Sequence, residues 1–306
     1  MDIPGMPSSP TQFHQVDVFT RRAGAGNPLG VVLGAEHWSA GQMQAFAAWT
    51  NLVETTFVLK PDDARADYRL RIFTPTREIA FAGHPSIGSA HVALSSGFCR
   101  ATDGKLLQQC DAGLLPIEVT GAAPMPMLSI AAPPAHIVAG DAEALAQLQA
   151  IVAPLPLGPI APGLVVGGRR WWLAELAREQ DLRGWRPDHQ AISQLAARSE
   201  TLGLCVFARS TSPDYELAVR AFPAGAGIVE DPASGAANAL VAAYIAALEP
   251  NGPLARGYRV SQGREIGRDA HLHLRIDADA QVWVGGHCVS VISGIVLWPA
   301  TARDTQ

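Results

Sequence analysis

GHPSIGSA, residues 83–90, and EDPASGAA, residues 230–237, match at Pro85/Pro232, Gly88/Gly235 and Ala90/Ala237, a spacing of 147 residues. Each leads into a run with no polar face, residues 87–94 (IGSAHVAL) and 236–248 (AANALVAAYIAAL). A helix that is small or apolar on every side has to be enclosed, so each run is predicted to pass through the middle of a sheet that curves round it. Upstream the match continues. RIFTP (71–75) aligns with VRAFP (219–223) at a spacing of 148, and the strands ending FVL (57–59) and VFA (206–208) align at about 149. Three matches in one order at nearly one spacing predict a duplication, two similar halves of about 120 to 150 residues each.

Outward from these motifs, two-residue alternation predicts strands at 16–19, 55–59, 68–73, 204–208, 216–222, 271–276 and 281–284. Helices are fewer. Residues 39–50 open with Ser39 and Gln42 in capping-box spacing and align Met43, Phe46 and Ala47 on one face. Residues 141–151 and 188–198 each open with an Asp suited to an N-cap. Many strands with sparse helices predict an α+β fold with mainly antiparallel or mixed sheets. The halves are placed at 12–130 and 131–289, with a last strand near 290–300 packing back onto the first half. Residues 1–11 and 301–306 are expected to be loose tails.

The chain has 306 residues, 48% apolar and 17% charged, with a net charge of −5. That balance offers no surplus of cations to neutralise a phosphate backbone or an anionic membrane surface, which argues against nucleic-acid and membrane partners. The low-charge stretch 233–248 is too short to span a bilayer, and 282–298 is interrupted by glycine, serine and histidine. No basic segment precedes an apolar run at the start, so no secretory signal is read there. Cys99, Cys110, Cys205 and Cys288 form no CxxC pair, which fits neither a zinc knuckle nor a disulfide scaffold and points to a reducing, cytoplasmic setting.

Chemistry is expected where a polar residue, His84 or Asp231, precedes proline and an enclosed helix. One reading makes Asp231 a simple N-cap, with Pro232 in the first turn. The other follows from the duplication. If both helix starts face one cleft, their N–H groups and positive dipole ends form a site for a small carboxylate, with His84 and Asp231 at its mouth. Glu54 is the other candidate: it enters a strand beside Val53 and Phe57, and is read either as a solvent-facing strand-end residue or as a carboxyl whose pKa partial burial raises toward the range a general acid/base needs. At a spacing of 149 its counterpart is Gly203. One carboxylate without a mirror partner suits a base that takes a proton and returns it on the same face, an isomerase rather than an epimerase. Residues 24–30 (GAGNPLG) have the wrong spacing for a dinucleotide site and read as a turn into a strand. The pair His271 and His273 has no third ligand nearby, so no metal is assigned. Arg169 to Trp172 and Trp185 read as strand-end and core residues.

VDVFTRRAGAGNPLGVV (16–32), NLVETTFVL (51–59), IFTPTREIAFAGHPSIGSA (72–90), VEDPASGAANAL (229–240) and QGREIGR (262–268) together resemble the phenazine-biosynthesis isomerase (PhzF-like) family, over residues 13–297. The resemblance implies the diaminopimelate-epimerase-like fold, in which two similar halves each wrap a curved sheet round a central helix. It also implies a homodimeric enzyme that needs no cofactor and acts on a small carboxylate by moving a proton along it, as in the isomerisation of trans-2,3-dihydro-3-hydroxyanthranilate. The family's acid/base glutamate falls on Glu54, its cleft histidine on His84 and its cleft aspartate on Asp231. Gly83, Ser234, Gly235 and Ala236 fall where substrate is bound. Two positions depart from the common pattern, Ala236 and Val53, each replacing a serine. The alternatives on the same fold are an amino-acid epimerase or racemase, and a binding protein that has kept the site and lost catalysis.

Overall fold

The computed structural model describes residues 10–298. Residues 1–9 and 299–306, most of the two expected tails, lie outside them. Thr11, counted with the first tail, is 4% exposed, donates its hydroxyl to the Gly34 carbonyl at 3.2 Å and accepts from the Val296 N–H at 2.9 Å. Hydrogen bonding on both sides ties it into the first unit.

By compactness the described residues form two units, one of residues 10–23, 28–130 and 287–298, the other of 24–27 and 131–286. The first contains β1 (Gln12–Val18), β2 (Asn27–Leu33) apart from Asn27, α1 (Ala40–Thr50), β3 (Thr55–Leu59), β4 (Tyr68–Phe73), β5 (Glu78–Ile79), α2 (Gly83–Ser95), β6 (Lys105–Cys110), β7 (Gly113–Thr120) and β8 (Met127–Ala131) apart from Ala131. β2 and β3 run parallel, β4 turns back on β3, β6 joins β4 in parallel, and β7 and β8 complete an antiparallel meander.

The second unit contains β9 (His136–Val138), α3 (Ala142–Val152), β10 (Gly163–Gly167), β11 (Arg169–Leu176), α4 (Glu179–Gly184), α5 (His189–Ser199), β12 (Gly203–Arg209), β13 (Leu217–Phe222), α6 (Gly235–Leu248), β14 (Gly257–Gln262), β15 (Ala270–Ile276) and β16 (Val282–Gly286). Its pairings repeat the same pattern: β11 parallel to β12, β13 antiparallel to β12, β14 parallel to β13, then β15 and β16 antiparallel. The final strand, β17 (Cys288–Ile295), pairs antiparallel with β1 in the first unit. Both units are therefore α+β with mixed sheets.

Each sheet encloses one helix. Every residue of α2 from His84 to Ala93 is buried, and the helix packs on β1, β3, β4 and β17. Gly88 makes this possible, because a Cβ there would lie 2.6 Å from Leu29 Cδ2 and 2.8 Å from Val18 Cγ2, side chains that are themselves fully buried. Two serines of α2 are satisfied within the core: Ser89 Oγ meets Thr56 Oγ1 at 2.8 Å, and Gln108 donates to Ser86 Oγ at 3.1 Å. α6 packs on β9, β10, β11, β15 and β16 and buries Leu240, Val241 and Ile245. Burial of each such aliphatic side chain contributes about 1.5 to 3 kcal/mol. Trp171, Trp172 and Trp185 are buried, as core residues should be.

The helix ends carry one correction. α1, α3 and α5 begin after Ser39, Asp141 and Asp188, each accepting from a first-turn N–H. Asp231, by contrast, does not cap α6. That role belongs to Ser234, whose hydroxyl accepts from the Ala237 N–H. Asp231 lies before the helix, where its N–H donates to the Ala221 carbonyl in an isolated bridge to β13, so the backbone at Asp231 is committed to the sheet and cannot also start the helix.

Candidate active site

In the first unit, the chain leaves α1 through Asn51 in the left-handed conformation and reaches Glu54 immediately before β3. Parallel pairing of β3 with β2 fixes this point, with the Glu54 carbonyl accepting from the Gly30 N–H. His84 occupies the second position of α2, and its Nε2 is 3.4 Å from Glu54 Oε2. The two side chains are only 9% and 13% exposed. Burial pushes the His84 imidazole down to about 3, so it is uncharged at neutral pH. A neutral imidazole against a carboxyl group can donate or accept a hydrogen bond without adding a charge.

The start of α2 has a second useful property. Its N-cap is Ala82, which supplies no side-chain hydrogen bond. First-turn N–H groups of a helix have no acceptor within it, and Pro85 has no N–H at all, which leaves those of Gly83 and His84 facing outward from the helix end. Gly83 is half-buried, with nothing within 4 Å of the place a Cβ would take.

In the second unit, Asp231 Oδ1 accepts from Asn27 Nδ2 at 2.9 Å and from the Ala233 N–H at 3.1 Å. Burial raises the Asp231 carboxyl to about 6 against the hydrogen bonds from the Ala233 N–H, the Ser234 side chain and Asn27, and the neighbouring Glu230 adds to the rise. Glu230 accepts from Nε and Nη2 of Arg220, each at 2.9 Å. Ser234 is buried, and both its polar groups are engaged: the hydroxyl caps α6 and the N–H donates to Gln262 Oε1 at 3.2 Å. Gly235 is buried, and Ala236 is exposed at the helix start. Asn27 and Gln262 sit in motifs that the sequence reading used as a turn and as a family signature. Their role as partners of Asp231 required the fold to bring residues 27, 231 and 262 together.

All four thiols are displaced away from reactivity. Burial raises Cys99 to about 11 and Cys288 to about 12, and it raises Cys110 and Cys205 as well. Thiolates, the nucleophilic form, are therefore scarce at neutral pH.

With this geometry in hand, the chain can be set beside known proteins. The profile of the family described as phenazine biosynthesis-like protein (PhzC-PhzF) matches residues 16–294. This chain belongs to that family. Its relatives include antisense-enhancing sequence 1 of Schizosaccharomyces pombe, 34% identical over 92% of this chain and 97% of that one. They also include trans-2,3-dihydro-3-hydroxyanthranilate isomerase of Pseudomonas chlororaphis, 30% identical over 92% of this chain and 98% of that protein. Among solved structures, the phenazine biosynthesis protein of the PhzF family from Bacillus anthracis superposes with a TM-score of 0.79 at 24% identity, over 94% of this chain and all of that one. As a PhzF-like protein the chain is an isomerase.

Proposed function

We propose that this PhzF-like enzyme is a cofactor-independent isomerase that moves a proton within a small unsaturated or amino-bearing carboxylic acid, with Glu54 as its single general acid and base. The observation that carries the reading is the buried Glu54–His84 pair, 3.4 Å apart, in which His84 is neutral. On trans-2,3-dihydro-3-hydroxyanthranilate, the Glu54 carboxylate takes the proton from carbon, the double bonds shift, and the same group returns the proton further along the ring. The enzyme ends in the protonation state in which it began. His84 holds the substrate's hydroxyl or amine, and the N–H groups of Gly83 and His84 hold its carboxylate. In the second unit, Asp231, Ser234, Gly235 and Ala236 are proposed as further site residues.

The raised thiols favour this reading over a racemase built on two cysteines. The test is turnover of trans-2,3-dihydro-3-hydroxyanthranilate in deuterated water. Product carrying solvent deuterium is expected, and Glu54→Gln should lower kcat by about two to four powers of ten while the circular dichroism spectrum is unchanged. Full activity in Glu54→Gln overturns the assignment. Inversion at the labelled carbon would identify an epimerase, and neither label nor turnover a binding protein.

The enzyme is further proposed to be a cytoplasmic homodimer. Four free cysteines fit the compartment, and no helix among the described residues is long and apolar enough to cross a membrane. Val291, Ile292 and Ile295 of β17 are each about half exposed or more, a concentration of apolar surface that a second copy would cover. Sedimentation equilibrium gives the mass directly, and a monomer at micromolar concentration would refute the dimer.

A further inference from the structure

We propose that Asn27 and Gln262 form a two-amide clamp that positions Asp231 for the reaction, an inference that rests on the reading of Asp231 as a site residue. Both amides are buried, Asn27 to 1% and Gln262 to complete exclusion from solvent. Asn27 Nδ2 donates to Asp231 Oδ1 at 2.9 Å and to the Ala233 carbonyl at 2.8 Å. Both donors are thus spent on acceptors, which fixes the amide: turned over, it would set its oxygen against two others. Gln262 works on the backbone of the same four residues. Its Nε2 donates to the Asp231 carbonyl at 2.8 Å, and its Oε1 accepts from the Ser234 N–H at 3.2 Å and from Asn238 Nδ2 at 2.8 Å.

The next residue shows how closely this element approaches. Gly263 has φ +93°, and a Cβ there would lie 2.6 Å from the Pro232 carbonyl. Only glycine lets the end of β14 lie this near the segment. Two motifs more than two hundred residues apart, GAGNPLG and QGREIGR, therefore converge on one aspartate.

The division of labour is specific. Asn27 touches the carboxyl group and so stabilises its ionised form, whereas Gln262 touches only the main chain of residues 231–234 and sets where that carboxyl stands. The charged and titratable groups facing Asp231 are Glu230 beside it, neutralised by Arg220 of β13, and Cys205 of β12. Neither supplies a positive charge to the carboxylate itself, which leaves hydrogen-bond donors as what favours its ionisation. A brace that was merely structural would leave the protonation of Asp231 untouched.

The experiment uses the full chain, with Asp231 followed by carboxyl carbon NMR across the pH range and turnover of trans-2,3-dihydro-3-hydroxyanthranilate measured in parallel. Asn27→Leu, which keeps the shape and removes the donors, is expected to raise the Asp231 midpoint by about one pH unit, and the pH profile of kcat should move with it. kcat should fall about tenfold with KM held within about threefold. Gln262→Glu keeps both acceptor contacts and loses the donation to the Asp231 carbonyl. It adds a nearby negative charge that by itself raises the midpoint, so it is read on kcat alone, and Asn27→Ala, which removes the same donors from the carboxyl group, carries the test if Asn27→Leu does not fold. An unmoved midpoint in the folded Asn27 variants, beside an inactive Asp231→Asn, overturns the clamp alone. Full turnover in Asp231→Asn removes Asp231 from the reaction and overturns the reading beneath the proposal.

Discussion

The two enclosed helices begin in different ways, although the sequence around them is repeated. In the first unit α2 starts at Gly83, so His84 lies inside its first turn and the helix has no side-chain cap. In the second, α6 starts at Gly235, which aligns with Gly88, and the turn that would match residues 83–87 is instead extended chain braced by Asn27 and Gln262 and capped by Ser234. The duplication has preserved strand order and pairing while the two helix starts have diverged. One presents a neutral imidazole beside a carboxyl group. The other presents a carboxyl group held by amides. A duplicated scaffold can separate its chemistry in this way because the sheets and the enclosed helices carry the stability, leaving the helix starts free to change.

Beyond the loss expected at Glu54, the largest effect should come from the contact that encloses α2. Gly88→Val places methyl groups against Leu29 and Val18, which are fully buried and have nowhere to move. Overpacking of this kind costs about 1 to 3 kcal/mol. Ala236→Val, one residue past the matching glycine, faces solvent and should change stability by less than about 0.5 kcal/mol. Urea denaturation of the two variants compares them directly. Equal losses would mean that the two helices are enclosed alike at this level, contrary to the asymmetry described.

The two starts should also respond to pH with opposite sign. His84 is lowered to about 3 in the folded chain from an ordinary 6.5, so its contribution is present above 6.5. As the pH falls below that value the unfolded chain takes up a proton that the folded one refuses, and stability drops by about 1.4 kcal/mol per pH unit toward 3. Asp231 is raised from 3.8 to about 6, so its contribution is full below 3.8 and is lost as the pH rises through 6. Between pH 4 and 6 the two oppose each other. Unfolding midpoints measured across that window should show His84→Asn flattening the acid limb and Asp231→Asn improving stability at pH 7. A slope of stability against pH that changes in the same direction in both variants would contradict the stated environments.

Much of this was legible from residue patterns. Ser39 with Gln42, Asp141 and Asp188 announce three helices because capping is local chemistry, and alternation marks β4 and β15 because they bury one face more than the other, whereas β3 and β13 are buried on both faces. The start of α2 is four residues earlier than its apolar run indicates, since Ala82 gives no capping signal and Pro85 is tolerated anywhere in a first turn, where its missing N–H costs nothing. α4 escapes because it is six residues long and buries only Leu182, too little for a period to show. Asp231 misleads for a different reason. Asp before Pro is a good local cap, and only pairing with β13, a non-local event, takes its backbone away from the helix. The amides of Asn27 and Gln262 are invisible in sequence on the same ground, because nothing local distinguishes a buried amide aimed at a carboxylate from one at a turn.

The smallest effect separates structural from functional N–H groups at the two starts. Ser234→Ala removes the hydroxyl that accepts from the Ala237 N–H and should cost about 1 kcal/mol with little change in KM, because that N–H is already occupied. Ala82→Ser does the reverse. A serine at an N-cap reaches the N–H of the second or third helical residue, and here the third is Pro85, so the only partner left is the His84 N–H. The variant should be more stable by about 0.5 to 1 kcal/mol, yet bind substrate several-fold less tightly, with KM raised and kcat held, since the added hydroxyl competes with the substrate carboxylate for a donor both need. Thermal unfolding and steady-state kinetics on the two variants decide the point. If Ala82→Ser stabilises the protein and leaves KM unchanged, the α2 start does not hold the carboxylate, and substrate must be anchored by other groups.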